Sequence, residues 1–170
     1  MEKIKNKLGN VGIVFSIVMG YLVAFYMYFN RYLEKNTEVN KQIKGLLSDM
    51  SIVPEKETAF LLLLAGVCSL VIYIVAVVIY KFIFRIAKVE VPEKKMLFAV
   101  ALAYMFDFFA CYFALGYFTN MLLIVLMGNI LEIAIVFILS FEKVQISMFK
   151  AVVIRTLLLA GNCVCLLLNV

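Results

Sequence analysis

Residues 96–140 read MLFAVALAYMFDFFACYFALGYFTNMLLIVLMGNILEIAIVFILS, and this stretch decides the fold. It holds two apolar runs, residues 96–117 and 121–141, joined by a tight turn at 116–120. A hydrocarbon core of about 30 Å takes roughly 20 apolar residues per helix to cross. Helix is the expected conformation, because backbone amides and carbonyls left unpaired in lipid are too costly. Two carboxylates, Asp107 and Glu132, interrupt runs otherwise suited to lipid.

The composition extends the same reading to the whole chain. Of 170 residues 66% are hydrophobic, mean hydropathy is +1.07 and there are two prolines, which excludes an ordinary soluble domain. The expected fold class is all-α, a polytopic membrane helical bundle of about five transmembrane helices in a single domain. Sixteen Lys and Arg against eleven Asp and Glu leave a formal charge of +5. In such a chain basic residues mark cytoplasmic ends rather than nucleic-acid contacts. The complete lack of histidine removes the usual general base and the commonest metal ligand. The cysteines Cys68, Cys111, Cys163 and Cys165 all lie inside apolar runs, where a thiol acts as a small hydrophobe.

The first span is expected over residues 11–29, after a lead carrying Lys3, Lys5 and Lys7. It resembles the start of a signal peptide, but no small-x-small cleavage site follows, so it reads as an uncleaved span with a cytoplasmic N-terminus. Gly12, Ser16, Gly20 and Ala24 recur every four residues, a ridge of small side chains that lets a second helix approach closely. Its partner is either an internal helix, the favoured reading, or a second copy of the chain.

Residues 30–57 form an external polar segment with five basic and five acidic side chains. Within it Val39, Ile43, Leu46, Leu47 and Met50 trace one amphipathic helix, with Asn36 or Thr37 as its cap. That helix either lies on the membrane surface or over the bundle, or it receives a partner. Pro54 with Glu55 and Glu57 signals the start of the second span, 58–84, and Pro92 with Glu93 repeats the signal before 96–117. The last span is expected over 149–169. Alternation from a cytoplasmic N-terminus puts ten Lys and Arg in cytoplasmic segments and five outside, with an external C-terminus.

Asp107 and Glu132 fall at similar depths, Asp107 roughly 16 Å into its span at 1.5 Å per residue. Asn129 shares a face with Glu132, and Tyr104 and Cys111 share one with Asp107. Arg155, Asn162 and Asn169 recur every seven residues on the last span. The expected site is therefore an intramembrane polar cluster of Asp107, Asn129, Glu132, Arg155 and Asn162, in which the arginine neutralises a carboxylate. Two readings stay open: an ion-pair cluster that fixes helix packing, or a relay or polar-substrate site. Arg155 can alternatively extend to the cytoplasmic interface and serve neither. No phosphate loop, nucleophile with a base, or metal-ligand spacing occurs, so the sequence predicts no enzyme, no cofactor and no metal site.

The order of parts, together with the basic exit at residues 82–95 followed by KKMLFAVALAY at 94–104, resembles the bacterial Yip1-like membrane proteins. That five-span family is related to eukaryotic Yip1 factors, which associate with Rab GTPases and membrane traffic. The resemblance implies a five-helix, non-enzymatic membrane protein. This chain lacks the Asp-Leu-Tyr-Gly-Pro signature of the eukaryotic branch, so GTPase binding is not implied. The function expected is binding, as an accessory, scaffold or immunity-type component of a membrane complex in the bacterial plasma membrane. The partners are the lipid bilayer and another membrane protein or further copies of the chain, with no nucleic acid. The alternative is a small transporter or substrate-binding transport subunit using the Asp/Glu/Arg cluster.

Overall fold

The computed structural model describes the backbone of residues 2–50, 52, 54–140 and 146–168, and the side chains of 13, 15–50, 52, 56–140 and 147–160. Among the described residues there are six α-helices and no strand: α1 (Glu2–Lys35), α2 (Thr37–Asp49), α3 (Pro54–Ile86), α4 (Glu93–Tyr117), α5 (Met121–Ser140) and α6 (Ile146–Leu168). Three stretches among the described residues are long and apolar enough to cross a membrane: Lys56–Ile86, Glu93–Tyr117 and Met121–Ser140. The spans expected over 11–29 and 149–169 lie on α1 and α6, and parts of both fall outside the described side chains.

The outer surface identifies the solvent. On α3, Ala65, Ser69, Ala76, Tyr80 and Ile83 turn inward, while Leu63, Val67, Leu70, Val78 and Phe82 are each more than half exposed. Facing water, those five alone would forfeit about 5 kcal/mol of burial, a sizeable part of the 5–15 kcal/mol that holds a typical domain together. Facing lipid they cost nothing. The chain is an all-α membrane protein.

The helix starts follow the local chemistry. Pro54 opens α3, and Pro92 sits at the cap position of α4 with Glu93 in its first turn. Asn120 caps α5, its Oδ1 accepting from the backbone N–H groups of Leu122 at 3.0 Å and Leu123 at 3.3 Å. The end of α1 lies six residues beyond the expected limit of 29, at Lys35. Leu33 is buried there and Arg31 bridges Glu34 at 3.2 Å, so the polar segment still has an apolar anchor one turn at a time. Asn36 occupies the cap position of α2 but makes no capping bond; its Nδ2 donates to the Tyr32 hydroxyl at 3.2 Å. Of the expected α2 stripe only Leu47 is buried, whereas Leu46 and Met50 are 62% and 63% exposed. The cause is that α2 rests chiefly on α1, a surface too narrow to cover the whole stripe.

At the other end of α3 the chain leaves through a left-handed residue. Lys88 has φ 55°, and the Val89 N–H returns to the Phe84 carbonyl at 2.9 Å, the bond that closes a Schellman-type helix end. Glycine normally fills this position because a Cβ costs roughly 1–2 kcal/mol there. Lys88→Gly is expected to raise stability by about 1 kcal/mol, offset partly by greater freedom of the unfolded chain. Thermal melting in detergent should show a midpoint a few degrees higher; a fall would mean that the lysine side chain contributes more than its backbone costs.

Helix α4 is central, packing most extensively against α5 on one side and α1 on the other. Near the α3–α4 loop, Tyr80, Ile83 and Phe84 meet Val100, Ala103, Val136, Phe137 and Ala151, joining α3, α4, α5 and α6. In the middle Phe108 is ringed by Tyr21, Phe25, Tyr28 and Tyr104 with centroids 4.9–5.9 Å away, at separations where aromatic pairs add stability beyond area burial. At the far end Cys111, Ala114, Leu115 and Ile124 close α4 onto α5, with Tyr28 and Tyr32 of α1 alongside. Between them these three layers place the interiors of α3, α5 and α6 around one polar centre.

Candidate intramembrane polar site

Helix α5 presents Asn129 and Glu132, three residues apart, on its inward face. Glu132 is the hub. Its Oε2 accepts from Arg155 Nη2 on α6 at 2.7 Å, and its Oε1 accepts from the Tyr80 hydroxyl on α3, also at 2.7 Å. The side chains of the ion pair are 7% and 1% exposed for Arg155 and Glu132. Arg155 Nη2 also donates to Asn129 Oδ1 at 3.1 Å, and Asn129 Nδ2 donates to the Val125 carbonyl of its own helix at 2.8 Å. The guanidinium carbon stands 5.9 Å from the centre of the Tyr80 ring. The Tyr104 hydroxyl of α4 also approaches Glu132.

Each of these contacts has a physical reason. Two opposite charges taken out of water each lose solvation worth several kcal/mol, and a buried pair survives only with close geometry and further hydrogen bonds. Here both carboxylate oxygens are engaged and the guanidinium is shared between a carboxylate and an amide. Charge-assisted bonds of 2.7 Å are the strong kind. One valence stays open: Arg155 Nε is buried with no partner among the described residues. Arg155 turns inward and does not reach for the interface.

Asp107 has a different environment. Its Oδ1 accepts from the Cys111 thiol, one turn along α4, at 3.4 Å, and that sulfur also lies 3.7 Å from the Ile124 carbonyl. The carboxylate is pressed against bare backbone of α5, since a Cβ built on Gly128 would fall on Asp107 Oδ1 and 2.7 Å from Cys111 Sγ. No cationic side chain pairs with Asp107 among the described residues. Of the expected cluster, Asn129, Glu132 and Arg155 therefore come together, and Asp107 stands beside them on its own. The side chains of Asn162 and Asn169 lie outside the described residues, as do those of Cys163 and Cys165.

The small-residue ridge of α1 divides similarly. Ala24 is fully buried, and a Cβ on Gly20 would sit 2.7 Å from Met105 Sδ of α4, so this half of the ridge meets an internal helix. Ser16 is exposed and the surroundings of Gly12 lie outside the described residues. Cys68 and Cys111 are free thiols. No grouping of three metal-ligating side chains occurs among the described residues.

Tyr80 and Gly128 are site residues that sequence reasoning passed over. A signal existed for the first: Ser69, Tyr73 and Tyr80 fall on one side of α3 at i, i+4 and i+11, a hydroxyl-bearing stripe on an apolar helix. The structure uses that stripe as an inner seam. Tyr21 donates to the Ser69 carbonyl at 2.5 Å and Tyr73 to the Leu97 carbonyl at 3.2 Å. No protein-family model, curated protein or solved structure matches the chain.

Proposed function

We propose that this chain is a non-enzymatic five-span protein of the bacterial plasma membrane that acts by binding another component of a membrane complex. The observation that carries the reading is the closure of the Glu132–Arg155 pair. Both carboxylate oxygens are taken by protein donors, and the pair is 1% and 7% exposed. A pair so enclosed leaves only the buried Arg155 Nε without a partner among the described residues, and its effect is to hold α3, α5 and α6 in one register. On this reading α1 and α6 are the first and last spans, the N-terminus and the α3–α4 loop are cytoplasmic, and α2 lies outside. This is the layout that the Yip1-like resemblance implies, and it carries no claim of GTPase binding.

The test is affinity capture of the tagged chain after mild extraction of native membranes. The expected result is a defined membrane protein, or a second copy, recovered at fixed stoichiometry. Leu46→Glu and Met50→Glu on α2 test whether the external helix contributes. A monodisperse monomer with nothing bound, after crosslinking in intact membranes, overturns the reading.

One observation favours transport as a second reading: Asp107 is an intramembrane acid without a cationic partner among the described residues, the situation in which such groups mark proton or cation paths. If flux is measured in proteoliposomes, Asp107→Asn should abolish it. Flux that survives this substitution, or no flux at all, removes the second reading.

A further inference from the structure

A groove of about 570 Å³ lies between the last turns of α3 and the loop leading to α4, within the range of small-molecule sites. Its walls include Val78, Phe82, Val89 and Val91, and its rim carries Lys81, Arg85, Glu90 and Glu93. Val78 and Phe82 are 60% and 58% exposed, so the apolar wall opens sideways, along the outer face of α3. One base is already engaged: Lys81 Nζ meets Glu93 Oε1 at 2.5 Å. Arg85 is exposed and has no partner among the described residues.

The rim itself is balanced, Lys81 and Arg85 against Glu90 and Glu93. The surplus lies just beyond it, where Lys88 and Lys94 add two further bases within residues 81–95. The position matters as much as the sign. The membrane-spanning stretches Lys56–Ile86 and Glu93–Tyr117 end and begin here, so the rim lies at headgroup depth and the open wall faces acyl chains. A molecule with one anionic end and one apolar end satisfies both halves. Basic pockets between helices at the cytoplasmic boundary have that preference in general.

We infer that this groove is a binding site for one anionic phospholipid, with its phosphate on Arg85 and Lys81 and an acyl chain along Val78 and Phe82. The inference rests on the membrane orientation proposed above and not on the partner-binding role, so its failure would leave that role untouched. Glu90 tunes the site against it, and a zwitterionic lipid, which brings no net charge, gains little from the surplus of bases.

The experiment is native mass spectrometry of the full chain, extracted from mixed micelles containing equal phosphatidylglycerol and phosphatidylcholine. The expected result is one retained phosphatidylglycerol, favoured about tenfold over phosphatidylcholine. The double variant Lys81→Gln/Arg85→Gln should bring the ratio to within about twofold. Both side chains are exposed and the Lys81–Glu93 pair is of the kind worth under about one bond's strength to the fold. Lys41→Gln/Lys44→Gln on α2, at the opposite end of the bundle, should leave the ratio unchanged. Glu90→Gln should raise it. Equal retention of the two lipids by the unmodified chain overturns the inference, as does a preference that survives Lys81→Gln/Arg85→Gln or one that Glu90→Gln lowers. If the double variant fails to fold, the unmodified chain and Glu90→Gln still decide.

Discussion

Arg155→Leu is expected to destabilise the protein by about 3–5 kcal/mol, the usual cost of removing one partner from a buried ion pair. The loss of a bond is the smaller part of it. Glu132 would keep the Tyr80 hydroxyl on Oε1 but leave Oε2 with an uncompensated charge in a site 1% exposed. Asn129 would lose its link to α6 at the same time. In detergent the melting midpoint should fall by on the order of 10 °C, at about 2–4 °C per kcal/mol for a chain of this size. The double variant Glu132→Gln/Arg155→Leu should recover more than half of the loss, because nothing charged then remains to be solvated. A neutral outcome for Arg155→Leu alone would show that water reaches Glu132, and the closure on which the binding role rests would go with it.

The second large effect is steric and belongs to Asp107. Gly128→Ala adds one methyl group where Asp107 Oδ1 and Cys111 Sγ already sit. Overpacking of a tight core typically costs 1–3 kcal/mol, and the upper part of that range is expected here because both obstacles are short side chains on a helix that α5 packs along its length. Asp107→Ala removes the nearer obstacle. A double-mutant cycle should therefore show strong coupling, with Gly128→Ala losing more than half of its cost in the Asp107→Ala background. Equal costs in the two backgrounds would mean that α4 and α5 separate to admit the methyl group, and that the carboxylate is not held against the backbone.

What could be read from the sequence was what depends on chain-local chemistry. Pro54 and the Pro92–Glu93 pair give the starts of α3 and α4, and the apolar lengths give three spans directly. The pairing of acids with the arginine was harder. Asp107 and Glu132 share depth and type, and an apolar helix gives little indication of how it is rotated, since most of its surface is equally acceptable to lipid. Gly128 decided between them: its missing side chain lets α4 lie so close that Asp107 meets backbone, while Glu132, one turn further, points past α4 toward α3 and α6. How far α2's apolar stripe meets the rest of the chain was not legible for a related reason. Periodicity shows that a stripe exists, but Leu46 and Met50 stay exposed because the neighbour beneath them is a single helix.

The ion pair has a consequence for how the chain enters the membrane. On the proposed five-span layout Arg155 enters with α6, and insertion of a lone arginine near the bilayer centre is disfavoured by about 2.5–3.5 kcal/mol. Its counter-charge is on α5, the helix synthesised immediately before it, and the tyrosine that completes the pair is already in place on α3. Helix α5 is apolar enough to cross by itself, whereas α6 brings an arginine that only its partner on α5 neutralises. On the proposed layout α6 should therefore enter the membrane against α5, as the second arm of a hairpin.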